Sequence, residues 1–198
     1  MCFGPLTQGK SLADLLSYED IVCGECRSKL EALNRSIDVD GMSVYSLYAY
    51  NQTASRWMFQ IKEAHDFSLA PVFLTPFRRQ LRRKLKGKTL VGVPSSVEKT
   101  QERGFHALDE MLKPLNLPIL YPFTKEDVKQ TKGNRHVRLS IKHHLKLNPN
   151  FSYHSTLVLV DDVLTTGSTL NACRDLLKDH CDTLEILVLT LHSSWLKR

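Results

Sequence analysis

Leu157-Val158-Leu159-Val160-Asp161-Asp162-Val163-Leu164-Thr165-Thr166-Gly167-Ser168-Thr169 is the stretch on which the fold turns. Its unbroken apolar start, with no polar alternation, reads as a strand buried on both faces. Asp161 and Asp162 end that strand, and a loop rich in hydroxyls follows. Leu170, Cys173, Leu176 and Leu177 then recur at helical spacing. A strand–loop–helix unit of this kind belongs to an α/β domain. In such domains ligands bind beyond the carboxyl ends of the strands.

Each part of the stretch has a physical use. The helix start offers unpaired N–H groups and a positive dipole end, which suit a phosphate. Thr165, Thr166, Ser168 and Thr169 add hydroxyl donors, and Gly167 lets the backbone approach closely. Adjacent carboxylates suit ribose hydroxyls, directly or through a magnesium shell. The combination reads as a pocket for a 5-phosphorylated ribose. A blander reading is a strand end and a capped helix, with Asp162 or Thr165 as the cap. No G-x-x-x-x-G-K-[ST] phosphate loop and no G-x-G-x-x-G fingerprint is present.

The flanking chain repeats the pattern. Thr89–Val93 is a short apolar run closed by Pro94-Ser95-Ser96, a strand followed by a second candidate binding loop. Helical spacing is visible over about 54–65 and 104–114, and at the end of 68–86. Val44–Tyr50, Leu117–Tyr121 and Thr183–Leu191 read as further strands. Residues 123–150 are polar and basic with no apolar period, a loop or insertion. The expectation is a mostly parallel sheet flanked by helices over 41–198. Residues 1–40 are set apart as a cysteine-bearing appendage whose only regular piece is a short helix around Glu25–Asn34.

Composition agrees with a globular chain: 198 residues, 42% hydrophobic and 24% charged, with a net charge of +6. It excludes a disordered tail, a collagen and a coiled coil. No run approaches the roughly 18 apolar residues of a membrane span, and the N-terminus shows no secretory signal, so a cytoplasmic location with reduced thiols is expected. Cys23-Gly24-Glu25-Cys26 is half of a zinc knuckle, with Cys2 as a third candidate ligand. Cys173 lies on the apolar stripe of its helix and reads as core, and Cys181 as equally inert.

Arg78-Arg79-Gln80-Leu81-Arg82-Arg83-Lys84-Leu85-Lys86-Gly87-Lys88 places seven cations in eleven residues. On a helix Leu81 and Leu85 face inward while the cations fan outward. A second basic cluster spans Lys129–Lys146. Both read as solvated surface or as a groove for single-stranded nucleic acid, with Arg78, Arg79, Arg82, Arg83 and Lys84 as contacts.

The 157–169 segment resembles the phosphoribosyl pyrophosphate (PRPP) motif of type I phosphoribosyltransferases, and nearly the whole chain resembles the ComF family of competence proteins. That resemblance also rests on Val91-Gly92-Val93-Pro94, on Glu102-Arg103-Gly104-Phe105-His106, and on Gln130 with Arg138. His106 stands where the family usually has Asn. The resemblance implies a type I phosphoribosyltransferase fold that binds PRPP with Mg2+. Asp161 and Asp162 would hold the ribose hydroxyls and the 165–169 loop the 5-phosphate. Pro94, Ser95 and Ser96 would hold the pyrophosphate, with Arg103 beside them as a catalytic cation and Lys99 and Arg138 as further candidates. It also implies a role in uptake of single-stranded DNA during natural competence, a DNA helicase of the ComFA type as partner, and a homodimer. ComF-like proteins commonly carry a four-cysteine zinc ribbon at the start; on that resemblance Met1 is expected to be an internal methionine of the ribbon, the alternatives being a three-cysteine site completed by water or a distant His and a degenerate site without metal. Two other functions stay open: an active transferase of nucleobase salvage, and a non-catalytic DNA-binding adaptor.

Overall fold

The computed structural model describes residues 20–125, 145–151 and 155–196. Six strands form one sheet: β1 (Ala32–Val39), β2 (Met42–Tyr50), β3 (Thr89–Gly92), β4 (Ile119–Leu120), β7 (Thr156–Leu164) and β8 (Thr183–His192). Their spatial order is β1-β2-β8-β7-β3-β4. Only the β1–β2 hairpin is antiparallel; every other neighbouring pair is parallel. A small antiparallel pair, β5 (Phe123–Lys125) and β6 (Leu145–Leu147), stands beside it.

Helices cover both faces. Leu157 and Leu159 of β7 pack in one cluster with Leu170, Cys173 and Leu177 of α6 (Ser168–Leu177). The alternate residues Val158 and Val160 pack in the other. There they meet α2 (Gln52–Lys62), α3 (Arg78–Lys84) and α5 (Ala107–Leu112). Both sets of β7 side chains are therefore buried, the physical reason its sequence runs apolar without alternation. The α/β, mostly parallel sheet flanked by helices is the observed architecture.

Several local readings are corrected. The helix around Glu25–Asn34 is a single short helix, α1 (Gly24–Ser28). Ala32–Val39 then forms β1, hydrogen-bonded to β2, so the sheet begins before residue 41. β1 carries no apolar alternation, because as an edge strand it is mostly exposed and mostly polar. The segment read as one helix over 104–114 is preceded by a separate helix, α4 (Val97–Arg103), which ends at Gly104 in the left-handed region. Asp161 and Asp162 do not end β7. The strand continues to Leu164, with Asp161 opposite Val188 and Val163 opposite Thr190. Cys173 is fully buried, as its helical position predicts.

The order of connections matters most for function. From β3 the chain moves outward to β4, whereas from β7 it moves the other way, to β8. The two crossovers part between β3 and β7, which opens a crevice at the carboxyl ends of those two strands.

Candidate functional site

A cavity of about 250 Å³ lies at that crevice. Pro94, Ser95 and Ser96 from the loop after β3 line one part of it, and Asp161, Asp162 and Thr169 from β7 and α6 another. Arg103, Lys99, Lys62 and Glu63 complete its charged lining. Two loops more than sixty residues apart in the chain thus meet in one pocket. Thr165, Thr166, Gly167 and Ser168 are not part of this lining. Thr165, Thr166 and Gly167 form the turn between Leu164 and α6, which Ser168 opens; Thr165 and Thr166 are exposed and Gly167 is buried.

The turn is held from several sides. Gly167 has φ of +75°, a conformation that favours glycine, and its carbonyl accepts from Asn171 N at 2.8 Å as α6 begins. The hydroxyls of Thr166 and Ser168 lie 3.0 Å apart. The indole Nε1 of Trp195 donates to the carbonyl of Thr165 at 2.7 Å. Three residues before Thr165, the carbonyl of Asp162 accepts from the hydroxyl of buried Thr190 at 2.9 Å. The backbone N–H of Asp162 donates to Asp161 Oδ1 at 2.9 Å.

Lys62, the last residue of α2, was not singled out by its sequence context, yet its Nζ lies 2.5 Å from Asp162 Oδ2. Both side chains are largely shielded, at 26% and 14% exposure, so this pair is more than a surface contact. Arg103 donates its Nε to the carbonyl of Lys62 at 2.7 Å. It thereby caps the negative end of α2 while lining the cavity. Its guanidinium also lies over the Phe105 ring, 5.8 Å from the centroid. Lys99 pairs loosely with Glu63 at 3.7 Å. No sequence periodicity marks Lys62 or Glu63, because only the packing of α2 against the sheet brings its end to β7.

The Tyr121 ring packs against Gly92 of β3, where an added Cβ would sit 2.1 Å from ring atom Cε1. The Tyr121 hydroxyl donates to Asp109 at 2.6 Å and lies 3.1 Å from His106 Nδ1. With its single proton on Asp109, the phenol accepts from His106, which places the imidazole proton on Nδ1. Burial, joined by the neighbouring Asp109, pushes the Tyr121 phenol far up. Burial also lowers the His106 pKa, against the opposing pull of Asp109 and Asp162. At the position where the family resemblance expects Asn, His106 is thus a partly shielded ring whose burial disfavours its charged form.

The remaining candidates are placed elsewhere. Leu81 and Leu85 are buried beneath α3, as the spacing predicts. Arg82 donates its Nε to the carbonyl of Leu115 at 2.9 Å, and Lys84 Nζ lies 4.3 Å from the Tyr45 ring centroid. Arg79 and Arg83 are exposed, and Arg78 is half-buried. Because α3 leads into the amino end of β3, these cations lie at the opposite end of the sheet from the cavity. Gln130, Arg138 and most of the second basic cluster lie outside the described residues, as does Cys2. Cys23 and Cys26 flank the first turn of α1, Cys26 buried in the core and Cys23 packed against it. Two thiols at this spacing suit half of a tetrahedral zinc site. Among the described residues, no group of three metal-ligating side chains gathers. Also among these residues, no helix is long and apolar enough to cross a membrane.

No protein-family model matches the chain. The Competence protein ComFC of Streptococcus pneumoniae is 26% identical over 140 residues, which is 70% of this chain and 63% of that protein. The match therefore spans less than two thirds of that relative. The Competence protein ComFC of Bacillus subtilis is 27% identical over 194 residues, covering 83% of this chain and 81% of its own length. Among solved structures, a hypoxanthine phosphoribosyltransferase from Staphylococcus aureus aligns over 60% of this chain and 61% of its own, with a TM-score of 0.38 and 14% identity. Across most of its length, then, this chain is similar to the ComFC competence proteins, and the ComF likeness read from its motifs stands.

Proposed function

We propose that this chain binds PRPP with magnesium in the crevice between β3 and β7. The observation that carries the reading is the single cavity joining Pro94, Ser95 and Ser96 to Asp161, Asp162 and Thr169. In this reading Asp161 and Asp162 accept hydrogen bonds from the ribose hydroxyls. The 165–169 turn and the start of α6 take the 5-phosphate, a dianion at a helix N-terminus. Ser95, Ser96 and Arg103 face the pyrophosphate. Magnesium, when bound, neutralises pyrophosphate charge, and the carboxylates and hydroxyls of the lining are the hard oxygen donors it prefers. For transfer, an acceptor nitrogen forms a bond to the anomeric carbon as the bond to pyrophosphate oxygen breaks. The electron pair leaves with the pyrophosphate, and the lining cations stabilise that charge.

The competence role follows the ComFC likeness: handling of incoming single-stranded DNA beside a ComFA-type helicase. The exposed Arg79 and Arg83 supply a DNA-facing surface well away from the sugar-phosphate cavity, so both ligands can be held at once. Neutralising about five phosphates predicts a log–log salt slope near −3.5 for single strands. A flat slope would remove the DNA surface.

The deciding experiment is calorimetric titration of Mg-PRPP into the wild type and the Asp161→Asn/Asp162→Asn variant. Saturable heat that the variant loses is the expected result. A folded wild type that takes up no Mg-PRPP would refute the pocket.

A further inference from the structure

Among the described residues, every cation in the cavity lining has an acid close by or a carbonyl to hold. Lys99 has Glu63, Arg103 has the carbonyl of Lys62, and Lys62 has Asp162. Among the described residues the lining holds Lys62, Lys99 and Arg103 against Glu63, Asp161 and Asp162, so their formal charges balance. A polyphosphate ligand entering a balanced site needs cations released from their internal partners. Lys62 is the one whose partner the ligand itself would satisfy. Ribose hydroxyls that donate to Asp162 fill the carboxylate lone pairs that the ammonium now occupies.

We propose that Lys62 is an exchangeable counterion. It holds Asp162 while the site is empty and turns to the pyrophosphate oxygens when PRPP binds. This rests on the PRPP reading above. Three observations support it. First, the pair is shielded, so an Asp162 without Lys62 would be a poorly solvated charge, which gives the chain a reason to keep a cation there. Second, the carbonyl of Lys62 is fixed by Arg103, so the backbone stays in place while the flexible four-carbon stem moves. Third, Lys62 shares the lining with Pro94, Ser95 and Ser96, whereas of the 165–169 turn only Thr169 reaches it. That places the ammonium on the pyrophosphate side and not on the 5-phosphate side.

The test compares two probes, Mg-PRPP and ribose 5-phosphate, which differ by the pyrophosphate. Titration calorimetry is run on the wild type and on Lys62→Met, whose length is similar and whose charge is gone. The expected result is about a ten- to hundredfold loss of PRPP affinity in Lys62→Met, the worth of a charge-assisted hydrogen bond. Ribose 5-phosphate affinity should change less than about threefold on the same scale. Equal losses for both probes, or no loss, would overturn the assignment of Lys62 while leaving the PRPP pocket intact. A folded wild type that binds neither probe would instead bring down the pocket itself, and the exchange with it. Should Lys62→Met fail to fold, Lys62→Gln keeps a hydrogen bond to Asp162 and serves the same comparison.

Discussion

Gly92→Ala is a sharp test of how the β3 end of the site is built. A Cβ at this position would lie 2.1 Å from Cε1, 2.8 Å from Cζ and 2.9 Å from Cδ1 of Tyr121. All three atoms belong to a rigid ring. The ring is tied at its far end by the 2.6 Å hydrogen bond to Asp109, and it packs on His106 with centroids 4.4 Å apart. The backbone of Gly92 is not in the left-handed region, so alanine meets no conformational barrier there. The cost comes from displacing the ring. Overpacking contributes about 1–3 kcal/mol, and loss of the hydroxyl–carboxylate bond at a partly exposed site adds about 1 kcal/mol. The expected destabilisation is then about 2–4 kcal/mol, the sum of those two ranges. In a Tyr121→Ala background the obstacle is gone. There the same substitution should be neutral, or stabilising by about 0.4–1 kcal/mol through lost freedom of the unfolded chain. Urea denaturation of the four proteins gives the coupling directly. A cost equal in both backgrounds to within about 0.5 kcal/mol would refute the ring as the obstacle.

Trp195→Phe keeps most of the apolar burial and removes the N–H that holds the Thr165 carbonyl. Stability should fall by about 1–2 kcal/mol in denaturation, and ribose 5-phosphate binding by calorimetry should weaken severalfold; unchanged affinity would mean that the turn holds itself. Burial pushes the Tyr48 phenol up to about 12, against the opposing pull of Arg27, whose Nη1 lies 3.4 Å from the hydroxyl oxygen. With an unfolded value near 10, the folded state keeps its proton longer, so Tyr48 destabilises the fold progressively as pH rises from about 10 to 12. Tyr48→Phe should flatten the decline in stability over that window by roughly 2–3 kcal/mol, and parallel pH profiles would contradict this. Metal analysis of the full chain should find stoichiometric zinc that Cys23→Ser/Cys26→Ser loses; zinc-free protein would reduce the C-x-x-C to a core element.

The buried strand 156–160, the helix after Gly167 and the run ending at Pro94 were readable because each carries a local signal. Continuous apolar residues mark burial on both faces, and helical spacing marks one covered face. β1 carried no such signal. An edge strand with one solvated face reads as polar loop until its partner β2 is known. The strand runs past Asp161-Asp162 for a related reason. Carboxylates resemble a strand end, yet their backbone stays in the ladder beside β8, with the Thr190 hydroxyl on the Asp162 carbonyl.

The sequence by itself determined the class of sheet, the two loops at strand ends and the acid–hydroxyl–glycine chemistry of one of them. These follow from residue type and spacing along a single segment. Tertiary structure alone decided that the two loops share one cavity, because that depends on β3 and β7 being neighbours whose crossovers diverge. It alone brought Lys62 to Asp162 and laid Tyr121 on Gly92, since contacts between distant segments leave no periodic trace in either. The same holds for the basic helix. Its inward leucines were legible, but its place at the amino end of the strands, away from the cavity, is set by the path of the chain from α3 into β3.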